Sequence, residues 1–278
     1  MSKLSMMQTV EGMIKLTAEG RPSTLIGIGP MSPNLLQATF ELARDCDFPP
    51  MFIASRNQVD LDELGGGYVN GWDQFRFAAD IKAAADAVGY EGDYYLCRDH
   101  GGPWQRDGER NAHLPEDEAM ALARKSYKTD LEAGFDLLMI DPTKDPYQIG
   151  KVIPLDVVLA RTVDLIQYCE DERRALGLPE IGYEVGTEET NGGLTSTEKY
   201  REFIERLKVE LGARGLPMPT SSWARPARSR ASPSRSATTT STTRCRSLRW
   251  RPPTAWASRS ITATTSTTSP CSSTRPPE

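Results

Sequence analysis

The sequence contains few of the residues on which several classes of protein depend. There are only two histidines and five cysteines in 278 residues, and no two cysteines have the CxxC spacing of a structural zinc site. The odd number of cysteines predicts free thiols in a reducing cytoplasm rather than a disulfide framework. No apolar run approaches the length of a membrane span, and the N-terminus lacks the apolar stretch of a secretory signal. These absences predict a cytoplasmic protein without a membrane partner.

Phosphate-binding loops are also absent from the sequence. Gly27 and Gly29 end the first apolar segment, but Pro30 follows them and the GxGxxG pattern is not completed. The chain has no Walker-type lysine loop either. The sequence therefore predicts no nucleotide cofactor.

The charged residues are divided unevenly along the chain, whose net charge is −5. Residues 219–278 hold ten of the 33 bases and only one of the 38 acids, which gives this segment a charge of +9. Residues 1–218 therefore carry 23 bases and 37 acids, a charge of −14. Because the acidic part has no basic stripe, we expect no nucleic-acid partner.

Residues 219–278 also have a different composition from the rest of the chain. Ser and Thr occupy 27 of the 60 positions, and the segment has no helical or strand periodicity. One interpretation is a disordered basic tail. Our preferred hypothesis is that this segment is translated out of frame. If GC-rich codons are assumed and the reading frame is shifted, the segment encodes a strand, a turn with the sequence GQTGT and a helix. We expect residues 1–218 to form the folded domain and residues 219–278 not to pack on it.

Short apolar segments alternate with amphipathic segments over residues 1–218, at intervals of roughly 25–45 residues. This alternation predicts parallel strands joined by right-handed helical crossovers. An open doubly wound sheet and an eight-stranded barrel both fit the pattern, but polar residues after several consecutive strands favour the barrel. The five predicted strands are Leu25–Gly29, Met51–Ala54, a segment from Asp93 to Asp99-His100, Leu137–Asp141 and Ile181–Gly186.

The strongest functional signal is an Asp-His pair at the end of the third predicted strand. Asp99 and His100 follow an aromatic, strand-like run and precede a turn of Gly101, Gly102 and Pro103. Adjacent strand residues point to opposite faces, so both side chains serve one site only if the strand gives way to a loop here. The alternative is a histidine that merely hydrogen-bonds a neighbouring loop.

Other polar side chains follow the remaining strands. Asn57 and Gln58 come after the second strand, where two amides would orient a polyhydroxylated substrate or simply cap a turn. Asp141 ends the fourth strand and suits a metal ligand or an acid/base group. Glu184 lies inside the fifth strand, where a carboxylate is costly unless it is paired or metal-bound. Glu188 belongs to a polar loop at the same end.

Further features of the chain have structural interpretations. The segment Gly65–Tyr68 contains three consecutive glycines and suits either a mobile lid or a plain connector. His113 is expected to belong to the entry of the following helix. Cys97 and Cys169 are expected to be small core residues.

The polar residues at the strand ends together resemble a divalent-cation site. Carboxylate oxygens with one imidazole suit zinc or manganese, which would act as a Lewis acid on the carbonyl and hydroxyl oxygens of a sugar. The five side chains are Asp99, His100, Asp141, Glu184 and Glu188.

Four segments resemble the GatZ/KbaZ family, and the likeness runs in order over residues 10–218. Members are described as the non-catalytic, stabilising subunit of class II D-tagatose-1,6-bisphosphate aldolase and are often labelled tagatose-6-phosphate kinase. The resemblance implies an aldolase-type (β/α)8 TIM barrel and a catalytic aldolase subunit as partner. The segments are Ser55-Arg56-Asn57-Gln58-Val59, Gly65-Gly66-Gly67-Tyr68, Asp99-His100-Gly101-Gly102-Pro103 and Tyr183-Glu184-Val185-Gly186-Thr187-Glu188.

The resemblance also implies roles for individual residues. In the catalytic class II aldolases a like Asp-His pair supplies an acid/base carboxylate and a zinc-ligating histidine, which would fall on Asp99 and His100. The barrel is incomplete here, because only about five strand–helix units precede the altered tail.

We therefore predict an accessory aldolase subunit in ketose or hexitol catabolism, with a sugar or sugar phosphate as ligand. The alternative is a metal-dependent ketose epimerase or aldolase acting on tagatose- or fructose-type sugars. A sugar-binding protein without turnover is a third possibility. The predicted roles are catalysis for Asp99 and Asp141, metal binding for His100 and Glu184, and substrate binding for Asn57, Gln58 and Glu188.

Overall fold

The computed structural model describes residues 3–21, 23–148, 153–186 and 197–223 of the chain. Glu188 and residues 224–278 lie outside the described residues, so the predictions made for them stay predictions. Seven α-helices occur in the described part: α1 (Met6–Ala18), α2 (Pro33–Cys46), α3 (Gln74–Ala87), α4 (Asp107–Asn111), α5 (Glu116–Glu132), α6 (Leu155–Ala175) and α7 (Thr197–Ala213).

Six strands form one parallel sheet in which each strand pairs with the next along the chain. Helices separate the strands, so the predicted α/β fold is confirmed as a parallel barrel arrangement. The described strands run from β1 at one edge to β6 at the other, so the barrel is incomplete. The strands are β1 (Ile26–Ile28), β2 (Pro50–Ser55), β3 (Tyr95–Gly101), β4 (Leu137–Ile140), β5 (Gly182–Gly186) and β6 (Ser221–Trp223).

Several helices begin at capping residues that the sequence supplies. The Ser5 side chain accepts a hydrogen bond from the backbone N–H of Gln8, whose side chain returns one to Ser5, and this capping box starts α1. Ser32 caps α2, whose first residue is Pro33. Asp73 caps α3 by accepting a hydrogen bond from the backbone of Arg76 at 2.7 Å. These caps fix where each helix leaves the end of the preceding loop.

Alternate strand residues face two different apolar regions. Phe52, Leu138 and Tyr183 belong to the large core between the sheet and the helices. Tyr95 and Cys97 face the barrel interior, where Met6 of α1 packs against them. Cys97 and Cys169 are buried free thiols, as predicted. None of the described helices is long and apolar enough to cross a membrane.

Three elements differ from the expectations drawn from the sequence. β3 continues through Gly101, so Asp99 and His100 lie within the strand and not in a loop after it. α4 was not among the elements predicted from the sequence. β6 lies within the segment predicted as tail, and its residue Ser221 pairs with Glu184 of β5. The ordered chain therefore extends beyond residue 218.

Candidate functional site

Asp99, His100 and Asp141 meet at the carboxyl ends of β3 and β4. His100 Nδ1 lies 2.7 Å from Asp141 Oδ2, and His100 Nε2 lies 3.8 Å from Asp99 Oδ1. Asp141 follows directly after β4 and its side chain is fully buried, whereas 30% of the His100 side chain and 36% of the Asp99 side chain are exposed. The imidazole therefore sits between a buried carboxylate and one that solvent reaches.

The backbone of β3 explains how two consecutive strand residues reach one site. The register between β3 and β4 shifts between Arg98 and Gly101, and His100 has φ = +44°. A positive φ is uncommon for residues other than glycine and occurs at strained functional positions. The shift and the left-handed residue break the alternation of the strand. This local irregularity replaces the loop that the sequence was expected to form.

The two glycines after His100 are required by close approach. A Cβ atom on Gly101 would lie 2.5 Å from the Tyr127 ring, and one on Gly102 would lie 2.5 Å from the Asp141 carbonyl oxygen. Gly102 also has φ = +136°, which side chains rarely tolerate. Glycine at position 101 thus leaves room for the Tyr127 ring of α5, and glycine at position 102 lets the turn beside His100 approach the main chain of Asp141.

Asp141 is held as an ionised hydrogen-bond acceptor. Burial raises its pKa, but hydrogen bonds from His100 and Thr143 outweigh burial, and the pKa lies below its ordinary value. The backbone N–H of Thr143 donates to Asp141 Oδ1 at 3.1 Å, and the Thr143 hydroxyl donates to the same oxygen. Because an ionised carboxylate can only accept, His100 Nδ1 carries the proton in this pair.

The pKa of Asp99 is shifted in the opposite direction. Burial raises the pKa of its carboxyl group, His100 lowers it, and the nearby charge of Asp141 raises it further, so the net shift is upward. Two carboxylates whose pKa values are moved apart around one imidazole are typical of acid/base sites. Asp141 can keep the imidazole oriented while Asp99 gains or loses a proton.

Glu184 lies on the interior face of β5, opposite Met139 in the register. Burial and the charges of Asp136 and Glu184 raise the pKa of the Cys97 thiol, which also faces the interior. Across the described ranges, no group of three or more His, Cys, Asp or Glu side chains is placed to hold a metal ion. Glu188 of the predicted cation site lies outside the described residues, so metal binding by His100 and Glu184 stays a prediction, and we assign no reaction step to a metal.

The two predicted substrate amides are engaged within the chain. Asn57 Nδ2 donates to the Gln105 carbonyl and to Asp107 at 3.3 Å each, and Asn57 Oδ1 accepts from the Asp107 backbone. Gln58 Oε1 accepts from the backbone of Ser55 at 2.8 Å, and its Nε2 contacts the Met31 sulfur. These hydrogen bonds fix the rim of the barrel, and substrate binding by either amide stays a prediction.

The glycine-rich segment packs closely on the residues that follow β2. A Cβ atom on Gly67 would collide with the Gln58 carbonyl oxygen, and the backbone of Tyr68 donates to Asn57 at 2.9 Å. Arg106 Nη2 donates to the Gly66 carbonyl at 2.6 Å. The contacts favour the connector interpretation of this segment over the lid.

A buried network of charges next to the site was not predicted. Arg98 points outward from β3, donates to Asp130 through two nitrogens at 2.5 and 2.8 Å, and also bonds two main-chain carbonyls. The one feature of the sequence that could have indicated this network is Arg98, because a charged residue in a buried strand requires a partner. The network contains three arginines and three carboxylates: Arg56, Arg98, Arg106, Asp60, Glu109 and Asp130.

The chain matches one family model over most of its length. The family model described as D-tagatose-1,6-bisphosphate aldolase subunit GatZ/KbaZ-like matches residues 10–211. The chain belongs to this family. Membership in the GatZ/KbaZ-like family confirms the resemblance seen in the strand-end motifs.

The chain is also similar to proteins of known structure, and the first of them agrees with this assignment. The GatZ/KbaZ-like chain is 26% identical to a probable tagatose 6 phosphate kinase from Sinorhizobium meliloti 1021, with a TM-score of 0.56 over 69% of this chain. The alignment spans 46% of that protein's length, so this chain corresponds to somewhat less than half of it. A putative fructose-1,6-biphosphate aldolase from Coccidioides immitis is 15% identical, with a TM-score of 0.41, over 75% of this chain and 68% of that one.

Proposed function

We propose that the chain is an accessory subunit of a class II D-tagatose-1,6-bisphosphate aldolase in cytoplasmic ketose or hexitol catabolism. The observation that carries the proposal is the match of residues 10–211 to a family described as an aldolase subunit. Its partner would be the catalytic aldolase subunit, and its ligand a sugar or sugar phosphate.

The geometry of the site supports a role in holding a polar ligand. The ionised, buried Asp141 fixes the proton on His100 Nδ1, and His100 and Asp99 are both partly exposed. Such a fixed set of donors and acceptors suits sugar hydroxyl groups, because ordered polar groups lose little freedom on binding. Binding of this kind would stabilise an assembly without turnover by this chain.

A metal-dependent epimerase or aldolase is the second candidate. The observation that favours it is the opposite pKa shift of Asp99 and Asp141 on either side of His100. In this proposal Asp99 exchanges a proton with the sugar while Asp141 keeps His100 oriented. His100 and Glu184 would contact a zinc or manganese ion, whose chemistry would be polarisation of the sugar carbonyl.

One experiment separates the two candidates. The purified chain is mixed with a catalytic class II aldolase subunit. The half-life of the aldolase's activity on tagatose 1,6-bisphosphate is measured with and without the added chain. An accessory subunit lengthens the half-life and turns over nothing alone. An enzyme cleaves or epimerises tagatose- or fructose-type sugars alone and loses turnover in His100→Ala.

The matched control is His113→Ala, because His113 is the only other histidine and lies in an exposed loop. It should behave like the wild-type chain in both assays. If the wild-type chain neither lengthens the aldolase half-life nor turns over a sugar, both candidates are wrong.

A further inference from the structure

Arg56 reaches the turn beside His100 from the neighbouring strand. It follows β2 directly, and only 1% of its side chain is exposed. Arg56 Nη1 donates to the Gly102 carbonyl oxygen at 2.8 Å, and Nε donates to Asp60 Oδ2 at 3.0 Å. Its two terminal nitrogens donate to the two carboxylate oxygens of Glu109 at 2.7 and 3.1 Å. The guanidinium is therefore fixed by two buried carboxylates, and its bond to Gly102 is directed at the turn.

Arg106, in the loop after β3, in turn contacts the loop that follows β2. Arg106 donates to the Arg56 carbonyl oxygen at 2.9 Å and to the Gly66 carbonyl oxygen at 2.6 Å. Each loop thus holds the main chain of the other through a buried or mostly buried guanidinium. The turn beside His100 cannot shift away from β2 without breaking both sets of hydrogen bonds.

The turn needs such support because its backbone is strained. His100 has φ = +44° and Gly102 has φ = +136°. Strained conformations persist only where the surrounding structure over-determines them. Gly102 is held between Arg56, which donates to its carbonyl oxygen, and the main chain of Asp141, against which its Cα is closely packed.

We propose that Arg56 is a positioning residue for the His100 imidazole and acts through the carbonyl oxygen of Gly102. A planar guanidinium can bond Glu109, Asp60 and Gly102 at the same time, whereas a lysine ammonium has no fork that matches this geometry. The proposal concerns the conformation of the site. It holds whether the site converts a sugar or only binds one.

The test is the nitrogen spectrum of the two imidazole rings in the full chain. Long-range proton–nitrogen correlation separates His100 from His113, which are the only histidines. The wild-type chain should show a protonated Nδ1 on His100, because that atom faces ionised Asp141. In Arg56→Lys we expect the His100 resonances to move towards those of a free imidazole, with the His113 resonances unchanged.

The matched control is Arg173→Lys. Arg173 forms a similar ion pair with buried Glu170 at 2.9 Å and donates to the Leu178 carbonyl, before the amino end of β5. This variant should lower the denaturation midpoint and leave the His100 resonances in place. If Arg56→Lys does the same, Arg56 is only a structural residue and the proposal is wrong.

A second variant covers the case in which Arg56→Lys does not fold. Glu109→Asp keeps the negative charge but shortens the side chain by one methylene group. The Arg56 guanidinium would follow the carboxylate and move away from the Gly102 carbonyl oxygen. We expect the His100 resonances to move in this variant as well. Unchanged His100 resonances in folded Glu109→Asp would overturn the proposal.

Discussion

At the scale of single residues, His100 combines a strained backbone with a charge-assisted hydrogen bond. A non-glycine residue in the left-handed region costs on the order of 1–3 kcal/mol. A hydrogen bond to an ionised group contributes roughly 1.5–3 kcal/mol, which is enough to offset that cost. The conformation of His100 therefore depends on the ionisation of Asp141 at 2.7 Å.

The first prediction concerns the pH dependence of stability at Asp141. Its pKa in the folded chain lies below the ordinary value of 3.8, so the ionised form stabilises the fold above about pH 4. This contribution should be lost as the pH falls through the lowered pKa. We expect the difference in unfolding free energy between the wild-type chain and Asp141→Asn to shrink below about pH 4 in urea titrations. A difference that stays constant from pH 7 to pH 3 would contradict the prediction.

The second prediction is that ionisation of Asp99 has the opposite effect on stability. Its pKa is raised in the folded chain, so the ionised carboxylate destabilises the fold at neutral pH. Asp99→Asn should therefore raise the urea midpoint at pH 7, with a gain below about 1 kcal/mol because solvent screens the partly exposed group. The gain should vanish at pH 3.5, where the wild-type carboxyl group is largely protonated. A loss of stability at pH 7 would show that the prediction is wrong.

At the scale of elements, apolar periodicity predicted each strand–helix unit over residues 1–218. α2, α5, α6 and α7 lie where amphipathic segments were expected between the strands, because these helices bury one face against the sheet. Periodicity could not reveal α4, whose five residues are polar or small. It also could not reveal which charged side chains are buried, because burial of Arg56 or Asp60 depends on partners far along the chain.

The same limit applies to the candidate site. The Asp-His pair and Asp141 stand out in the sequence, and the structure brings Asp99, His100 and Asp141 together. The left-handed φ of His100 could not be predicted, because it accompanies a register shift between β3 and β4 that only the folded chain provides. The structural engagement of Asn57 by Asp107 was equally hidden from local sequence patterns.

The third prediction tests the buried charges between the sheet and α5. Arg98→Met leaves Asp130 buried without its partner, because both side chains are fully enclosed. Removing one member of a buried ion pair costs about 3–5 kcal/mol, and we expect a loss of that size in urea unfolding at pH 7. The control is Lys82→Met, which breaks an exposed pair with Asp86 and should leave the unfolding free energy nearly unchanged, because solvent screens that pair. Similar losses in the two variants would contradict the role given to the network.

The fourth prediction concerns the close packing of the glycine-rich segment. Gly67→Ala would force a methyl group onto the Gln58 carbonyl oxygen and should destabilise the chain by about 1–3 kcal/mol. Gly108→Ala is the matched control, because the space around Gly108 in α4 is open and alanine favours helices. Thermal unfolding measures both variants. An unaffected melting temperature in Gly67→Ala would show that this segment moves away from Gln58 freely.

At the scale of the whole molecule, the described sheet has two edges. β1 pairs only with β2 among the described strands, and 48% of Ile26 is exposed. Open strand edges and exposed apolar side chains favour association between chains. Under the out-of-frame hypothesis, a frame-corrected chain would supply further strands that cover these groups, as strands in a closed barrel do.

The fifth prediction follows from these edges and from the out-of-frame hypothesis. The chain of 278 residues should aggregate or require a partner in sedimentation experiments, whereas a frame-corrected chain should be monodisperse. A sharp, reversible thermal transition of monomeric protein would contradict this expectation. The encoding DNA gives an independent measurement, since the hypothesis requires another open frame that continues past the codon for Glu278.

The order of the strands also has a consequence for folding during synthesis. Each described strand pairs with the strand made just before it, so no strand waits for a distant partner. Pairings between consecutive strands close shorter loops than pairings across the whole chain would, and the entropy cost of closing a loop grows with its length. The growing chain can therefore add one strand–helix unit at a time as it leaves the ribosome. The direction of translation is also the direction in which the sheet widens.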